Sequence, residues 1–160
     1  MEKLLHKKTE LYPKDTQTHI RYKFVLDQPA SRLNFMVKYS PKEWNDEQLS
    51  KQVIEESLLK YNGTADASQE DTWKRFVPLK NLITFSIDDC NGFRGACHRQ
   101  NPDQILMIDE DSASPGLIPG KLPTGHWEIT LSIHALLTPS CHCELLVWKG
   151  ETKYEKLASL

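Results

Sequence analysis

The sequence feature that most constrains the fold is a strict alternation of apolar and polar residues near the carboxyl end of the chain. Its apolar positions are Trp127, Ile129, Leu131, Ile133 and Ala135, and every residue between them is polar. A period of two places alternate side chains on one face of a β-strand. The pattern therefore predicts a strand with one buried face, which we expect to be central in its sheet.

The same alternation recurs along the chain, over residues 20–26, 33–39, 83–87 and 141–148, and residues 104–108 form a shorter apolar run. The first two segments are joined by a short turn, which predicts an antiparallel hairpin. A long loop with many Pro and Gly residues precedes Trp127. Six or more strands with turn-rich links and no alternating helices predict an all-β fold, an antiparallel β-sandwich.

One segment has a different period. Leu49, Val53, Ile54, Leu58 and Tyr61 fall on one face of a helix. The spacing predicts a single α-helix over about residues 45–61, inserted between strands. Its expected amino-terminal cap is Asn45, with Gln48 placed to complete a capping box, and Asn62-Gly63 is expected to end it.

The length of 160 residues fits one domain. Residues 1–17 are polar and without a period, so we expect an amino-terminal arm that is only partly ordered. Residues 18–150 are predicted to form the sandwich domain, and residues 151–160 a carboxyl-terminal tail.

Charge and hydropathy exclude two classes of partner. The chain has 20 basic and 22 acidic residues, a formal net charge of -2, and no basic block, so nucleic acid is not an expected partner. Its longest apolar runs are only a few residues, far short of the roughly 20 that cross a bilayer. The first residues show no secretory signal pattern. We therefore expect a cytoplasmic protein that does not span a membrane.

Groups that could bind metal have poor spacing. Cys90, Cys97, Cys141 and Cys143 do not form paired Cys-x2-Cys motifs, and buried core thiols are the favoured interpretation. The acidic residues Asp88-Asp89 and 109–111 could converge on calcium, but solvated strand ends are favoured. We predict no metal site and no cofactor.

No motif predicts catalysis, since the chain has neither a Gly-x-Ser-x-Gly nor a His-Glu-x-x-His pattern. Arg94, His98 and Arg99 form a small basic group that could hold an anionic or sugar ligand. The favoured alternative is that Arg94 braces the turn, in which Asp88, Asp89, Gly92 and Gly95 are predicted structural residues. Exposed tryptophans could offer stacking platforms for sugars; the candidates are Trp44, Trp73 and Trp148.

Two segments together are specific enough to indicate a family. Ile83 to Gly95 reads ITFSIDDCNGFRG, and Ala113 to Trp127 reads ASPGLIPGKLPTGHW. In this order they resemble the amino-terminal β-sandwich region of bacterial CehA/McbA-type metallohydrolases of the PHP phosphoesterase superfamily. The resemblance extends over about residues 18–148.

The resemblance implies a jelly-roll-like sandwich, similar to the pre-peptidase C-terminal type, that accompanies a metal-binding PHP domain. That catalytic domain and its His and Asp ligands have no counterpart in this sequence. The implied function is a non-catalytic accessory or binding module whose partner is a glycan or a PHP-type metallohydrolase. The alternatives are a small metal-dependent hydrolase using Cys, His and Asp side chains, and a structural subunit of a PHP-type phosphoesterase.

Overall fold

The structure, a computed structural model, describes residues 1–62, 72–98 and 101–150. In these ranges the chain forms ten strands and one α-helix. The elements are β1 (Glu2–Leu11), β2 (Thr18–Leu26), β3 (Arg32–Ser40), β4 (Glu43–Trp44), α1 (Glu47–Asn62), β5 (Leu79–Lys80), β6 (Leu82–Asp89), β7 (Gly92–Cys97), β8 (Asp103–Asp109), β9 (Gly125–Ala135) and β10 (Cys141–Lys149). Short 3-10 helices occupy Pro13–Asp15 and Thr72–Phe76.

Eight of the strands form two four-stranded antiparallel sheets. Their orders are β1-β10-β3-β8 and β2-β9-β6-β7, while β4 and β5 pair separately. Apart from the β6–β7 hairpin, each connection between consecutive long strands passes from one sheet to the other. This is a jelly-roll arrangement, which confirms the predicted all-β sandwich with one inserted helix. β9 is central, as its alternation predicts.

Two expectations from the sequence are wrong. β2 and β3 do not form a hairpin, because β2 pairs with β9 and β3 pairs with β10 and β8 in the other sheet. Residues 1–17 are not a partly ordered arm either. Most of that segment is β1, which pairs with β10 from Glu2 to Leu11.

The main core lies between the two sheets and is built from the apolar positions of the alternating patterns. Trp127, Ile129, Leu131 and Ile133 of β9 are at most 1% exposed. They meet side chains of β3 and β10 such as Phe35 within one cluster of buried residues. Burial of a large apolar side chain stabilises a fold by roughly 1.5–3 kcal/mol, so this layer is the main source of stability.

The helix forms a separate layer with its own small core. Ile54 of α1 packs with Trp73 and Leu79 in a cluster distinct from the main one. The amino-terminal cap is Asp46, whose Oδ1 accepts the backbone N–H of Leu49 at 3.0 Å, so the expectation of Asn45 is wrong by one residue. The expected stop at Gly63 lies outside the described residues. No helix in the described ranges is long and apolar enough to span a membrane.

A buried asparagine ties this layer to the sandwich. Asn81 is fully buried, and its amide donates to the carbonyl of Pro41 at 2.9 Å and to Thr138 Oγ1 at 2.8 Å. The side-chain oxygen of Asn81, Oδ1, accepts the backbone N–H of Leu137 at 2.8 Å. The link between β3 and the helical layer is thus bonded to the β9–β10 connection.

The long Pro- and Gly-rich loop before β9 lies directly against β7. Leu117 forms an isolated β-bridge with Gly95, and the backbone N–H of Ala96 donates to the Gly116 carbonyl at 3.0 Å. A Cβ atom on Gly95 would overlap the Gly116 carbonyl oxygen, and the φ angle of Gly95 is +119°. The contact therefore requires glycine at this position.

We predict that Gly95→Ala destabilises the fold by at least ~2 kcal/mol more than Gly92→Ala, because it adds a backbone overlap to an unfavourable φ angle. Gly92 is the matched control, since its φ angle is +124° but nothing lies within 4 Å of an added Cβ. Urea unfolding of both variants measures the difference. Equal free energies of unfolding would show that the loop does not approach β7 this closely.

Candidate functional site

Arg94 holds the long loop against the end of the β6–β7 hairpin. Its Nη1 donates to Asp89 Oδ2 at 2.8 Å and to the Lys121 carbonyl at 2.9 Å. Its Nε and Nη2 both donate to the Ile118 carbonyl, and Nη2 also donates to the Gly120 carbonyl. A guanidinium has five N–H donors, and all five are therefore used.

The two side chains of this ion pair are largely shielded from solvent. The Arg94 and Asp89 side chains are 10% and 3% exposed, and the guanidinium lies 5.5 Å from the centre of the Trp127 ring. Asp89 also accepts the backbone N–H of Asn91 through its other oxygen at 2.7 Å. Each charge is thus compensated by several hydrogen bonds, which burial of an ion pair requires.

The predicted ligand-binding group is only partly brought together by the structure. Arg94 occupies the structural role that the sequence analysis favoured, with no donor left for a ligand. His98 is exposed after the end of β7, and Arg99 lies outside the described residues. Of the predicted turn residues, Asp89 binds Arg94, Gly95 contacts the loop and Gly92 closes the hairpin. Asp88 points to the other side of the strand.

Asp88 lies in a groove on the outer face of the β2-β9-β6-β7 sheet, which we call the sheet groove. It has a volume of about 890 Å³. Its polar side chains come from β2, β9, β6 and the β6–β7 turn: Arg21, Lys23, His126, Glu128, Thr130, Asp88, Cys90 and Asn91. The register explains this convergence, because Lys23, Glu128 and Asp88 are direct neighbours across three strands.

Much of the hydrogen-bonding capacity in the sheet groove is unused. Within the described parts of the chain, the side chains of Asp88, Asn91, His126 and Thr130 make no hydrogen bond or ion pair. Arg21 and Lys23 are both near the Glu128 carboxylate, at 3.5 and 3.6 Å. The groove therefore offers a carboxylate, an amide, an imidazole and a hydroxyl to a ligand.

An exposed aromatic ring flanks these groups. Phe93 is the cross-strand partner of Asp88 and is 58% exposed. The tryptophans proposed as platforms do not serve: Trp73 and Trp148 are buried at 9% and 0% exposure, and Trp44 is half-buried in the helical layer. Phe93 is not among the residues predicted from the sequence, although its place beside a glycine turn is a usable signal.

The second acidic cluster is a bonded turn. Asp109 Oδ1 accepts the backbone N–H groups of Ser112 and Asp111, and Arg32 binds Oδ2 at 3.1 Å. The Ser112 backbone is the largest of several influences that together lower the pKa of Asp109. In the described ranges no three His, Cys, Asp or Glu residues are placed to hold a metal ion. The two acidic segments do not form a calcium site there.

The four cysteines are free and differ sharply in access. Cys90 is exposed, whereas Cys97, Cys141 and Cys143 are at most 2% exposed. Burial raises the pKa of Cys141 to about 11 and that of Cys143 to about 12. The predicted assignment of buried core thiols thus holds for three of the four.

Comparisons with known proteins give no family. No family of known proteins matches the sequence, and no curated protein does. One solved structure, that of GEBA250068378 from Sulfurospirillum deleyianum, is similar over 92% of this chain and 99% of its own length. The identity is 7% and the TM-score is 0.36.

We predict that Arg94→Ala lowers the free energy of unfolding by about 3 kcal/mol or more, because Asp89 keeps a buried charge without its partner. Adding Asp89→Asn to this variant should restore part of the lost free energy of unfolding, since an amide needs no counter-charge. Arg21→Ala is the control: its ion pair is exposed, and its loss should cost less than about 1 kcal/mol. An Arg94→Ala protein as stable as Arg21→Ala would contradict the structural role.

We predict that Ellman's reagent at pH 8 modifies one of the four thiols in the native protein and all four after denaturation. Reaction requires an accessible thiolate, which burial denies to Cys97, Cys141 and Cys143. A Cys90→Ser variant should be unreactive in the native state. Rapid native modification of a second thiol would show that the core is more open than this structure.

Proposed function

We propose that this protein is a non-catalytic binding module that holds a glycan in the sheet groove. The observation that carries the proposal is the set of four side chains in that groove without a hydrogen-bond partner in the described chain, beside an exposed aromatic ring. Sugar hydroxyl groups both donate and accept hydrogen bonds, and the apolar faces of sugar rings stack on aromatic side chains. The groove offers the first kind of contact, and the exposed ring of Phe93, the cross-strand partner of Asp88, offers the second beside it.

Charge favours a neutral polyhydroxyl ligand over an anion. The positive charges of Arg21 and Lys23 face the negative charges of Glu128 and Asp88, so the groove is close to electrically balanced. Glu128 lies within 4 Å of both cations and lowers their attraction for a phosphate or carboxylate ligand. Hydrogen bonding is then the main source of specificity.

The position of these residues suits recognition. His126, Glu128 and Thr130 belong to β9, which is hydrogen-bonded to a strand on each side. A central strand fixes the backbone positions of these residues before a ligand binds, which lowers the entropic cost of association. Jelly-roll domains with this two-sheet architecture include lectins.

The proposal also includes the PHP-type partner and the cytoplasmic location predicted from the sequence. A module that binds a glycan could deliver a separate PHP-type metallohydrolase to its substrate, which is the second partner predicted from the sequence. A cytoplasmic location agrees with four free cysteines, since reducing compartments keep thiols unpaired. The metal-dependent hydrolase alternative has no cluster of metal ligands within the described ranges to support it.

We predict that the full chain binds members of a glycan array and that Phe93→Ala weakens the binding by about tenfold, through loss of ring stacking. Asp88→Ala and His126→Ala should weaken it by a similar factor, since each removes a hydrogen-bonding group. Affinities for the best glycan are measured by calorimetry. Binding should change little between roughly 0.05 and 0.5 M salt, because the ligand is neutral.

Tyr12→Ala is the matched control, because Tyr12 is another exposed aromatic residue, at 44%, and is not part of the groove. It should bind as the unmodified protein does. The proposal is wrong if no glycan binds at millimolar concentration, or if bound glycans tolerate the Phe93, Asp88 and His126 substitutions.

A further inference from the structure

Two neighbouring cavities lie in the helical layer, away from the sheet groove. They have volumes of about 460 and 290 Å³. Both are lined by α1 on one side and by Pro78 on the other. We call the pair the helix cleft. The larger cavity is within the size range of small-molecule sites in proteins.

The larger cavity is mainly apolar. Its apolar walls come from α1, the second 3-10 helix, β5 and the β9–β10 connection: Val53, Ile54, Leu58, Phe76, Leu79 and Leu137. Phe76, one of these residues, is 51% exposed. Ser57 and Lys80 are the polar lining residues, and both side chains already have partners, the Val53 carbonyl and the Glu43 carboxylate. An apolar group is the matching occupant.

Two residues that line the smaller cavity each have a buried polar atom without a partner. Trp44 Nε1 and Ser50 Oγ are both inaccessible to solvent and make no hydrogen bond, and Ser50 is 0% exposed. Two comparable groups in the described chain are bonded: Trp127 Nε1 donates to the Pro123 carbonyl at 3.0 Å, and Thr138 Oγ1 donates to the Ser140 carbonyl at 2.7 Å. Buried polar atoms are rarely left unpaired, so this site lacks an acceptor.

We propose that the helix cleft binds a small apolar molecule with a neutral carbonyl group, such as an aliphatic ketone, ester or amide. The carbonyl oxygen has two lone pairs and accepts one hydrogen bond from the Trp44 indole and one from the Ser50 hydroxyl. The hydrocarbon part occupies the larger cavity. Glu47 also lines the smaller cavity, and its negative charge disfavours a carboxylate ligand.

This site does not depend on the proposed glycan function. Its residues belong to the helical layer, whose buried cluster is separate from the core between the sheets. A lack of glycan binding would therefore not contradict the proposal for the helix cleft. A lack of ligand binding in the cleft would likewise not contradict the glycan proposal.

The test is a titration of the full, 15N-labelled chain with 2-octanone, followed at the indole N–H signals of its four tryptophans. Trp44→Phe assigns the Trp44 signal. We expect that signal to move to higher proton frequency and to saturate, as a new hydrogen bond forms to a carbonyl oxygen. Octanoate, which has a similar chain but a negative charge, should bind at least about tenfold more weakly.

Two variants separate hydrogen bonding from simple filling of the cavity. Trp44→Phe keeps a ring but removes the N–H, and Ser50→Ala removes only the hydroxyl. Each should weaken 2-octanone binding by about tenfold in ligand-observed NMR, the loss expected for one buried hydrogen bond. Ile105→Ala is the control, since Ile105 is an exposed apolar residue on β8, at 44%, outside the cleft.

Three outcomes overturn the proposal. The Trp44 signal does not move at any soluble concentration of 2-octanone; both variants bind the ketone as tightly as the unmodified chain; or octanoate binds as well as the ketone. In the first case no ligand carbonyl reaches the Trp44 indole. In the second the apolar walls hold the ligand without a carbonyl contact, and in the third the site does not select a neutral group.

Discussion

The pairing of β1 with β10 is the constraint on which the rest of the structure depends. It joins the two ends of the described chain over nine register positions and is reinforced by His6, whose Nε2 lies 2.6 Å from Glu144 Oε1. That hydrogen bond is the main reason that the pKa of Glu144 is lowered. Between β1 and β10 along the chain, β2 pairs with β9, β3 with β8, and β6 with β7. Each sheet must then bury one face against the other, which leaves the outer face of the β2-β9-β6-β7 sheet for the sheet groove.

Apolar patterns predicted six of the eight long strands, all but β1 and β7, but not which strands pair. Alternation identified β2, β3, β6, β9 and β10 because one face of each packs against the core between the sheets. It missed β1, where only Leu4, Leu5 and Leu11 reach the core and a bulge between Lys3 and Leu5 interrupts the period. Lysines on an edge strand protect it from pairing with other chains, and they also give it the composition of a loop. The false β2–β3 hairpin has a related cause: alternation shows which face is buried, whereas partners depend on contacts distant in sequence.

The hydrogen-bond partners of Arg94 could be predicted only in part from the sequence. Glycines on either side of an arginine predicted a tight turn with a structural cation, and a nearby aspartate was a reasonable partner. The other acceptors are backbone carbonyls of residues 118, 120 and 121, which no side-chain pattern can indicate. The sheet groove has the same character, since Lys23, Glu128 and Asp88 become neighbours only through the register of three strands. The same register places Phe93 beside Asp88.

The helical layer adds a second surface and has a buried cluster separate from that of the sandwich. Hydrogen bonds attach this layer to the sandwich. The Asn81 side chain bonds to Pro41, Leu137 and Thr138. Lys42 Nζ donates to the backbone carbonyl of Asn81 at 2.6 Å. Such a fully satisfied network fixes geometry more strictly than apolar contact does, because each bond has a preferred direction. The core between the sheets therefore need not change when the packing under α1 changes. A jelly roll that has its groove on the strands of one sheet and its cleft beside an attached helix can vary the residues of the two surfaces independently.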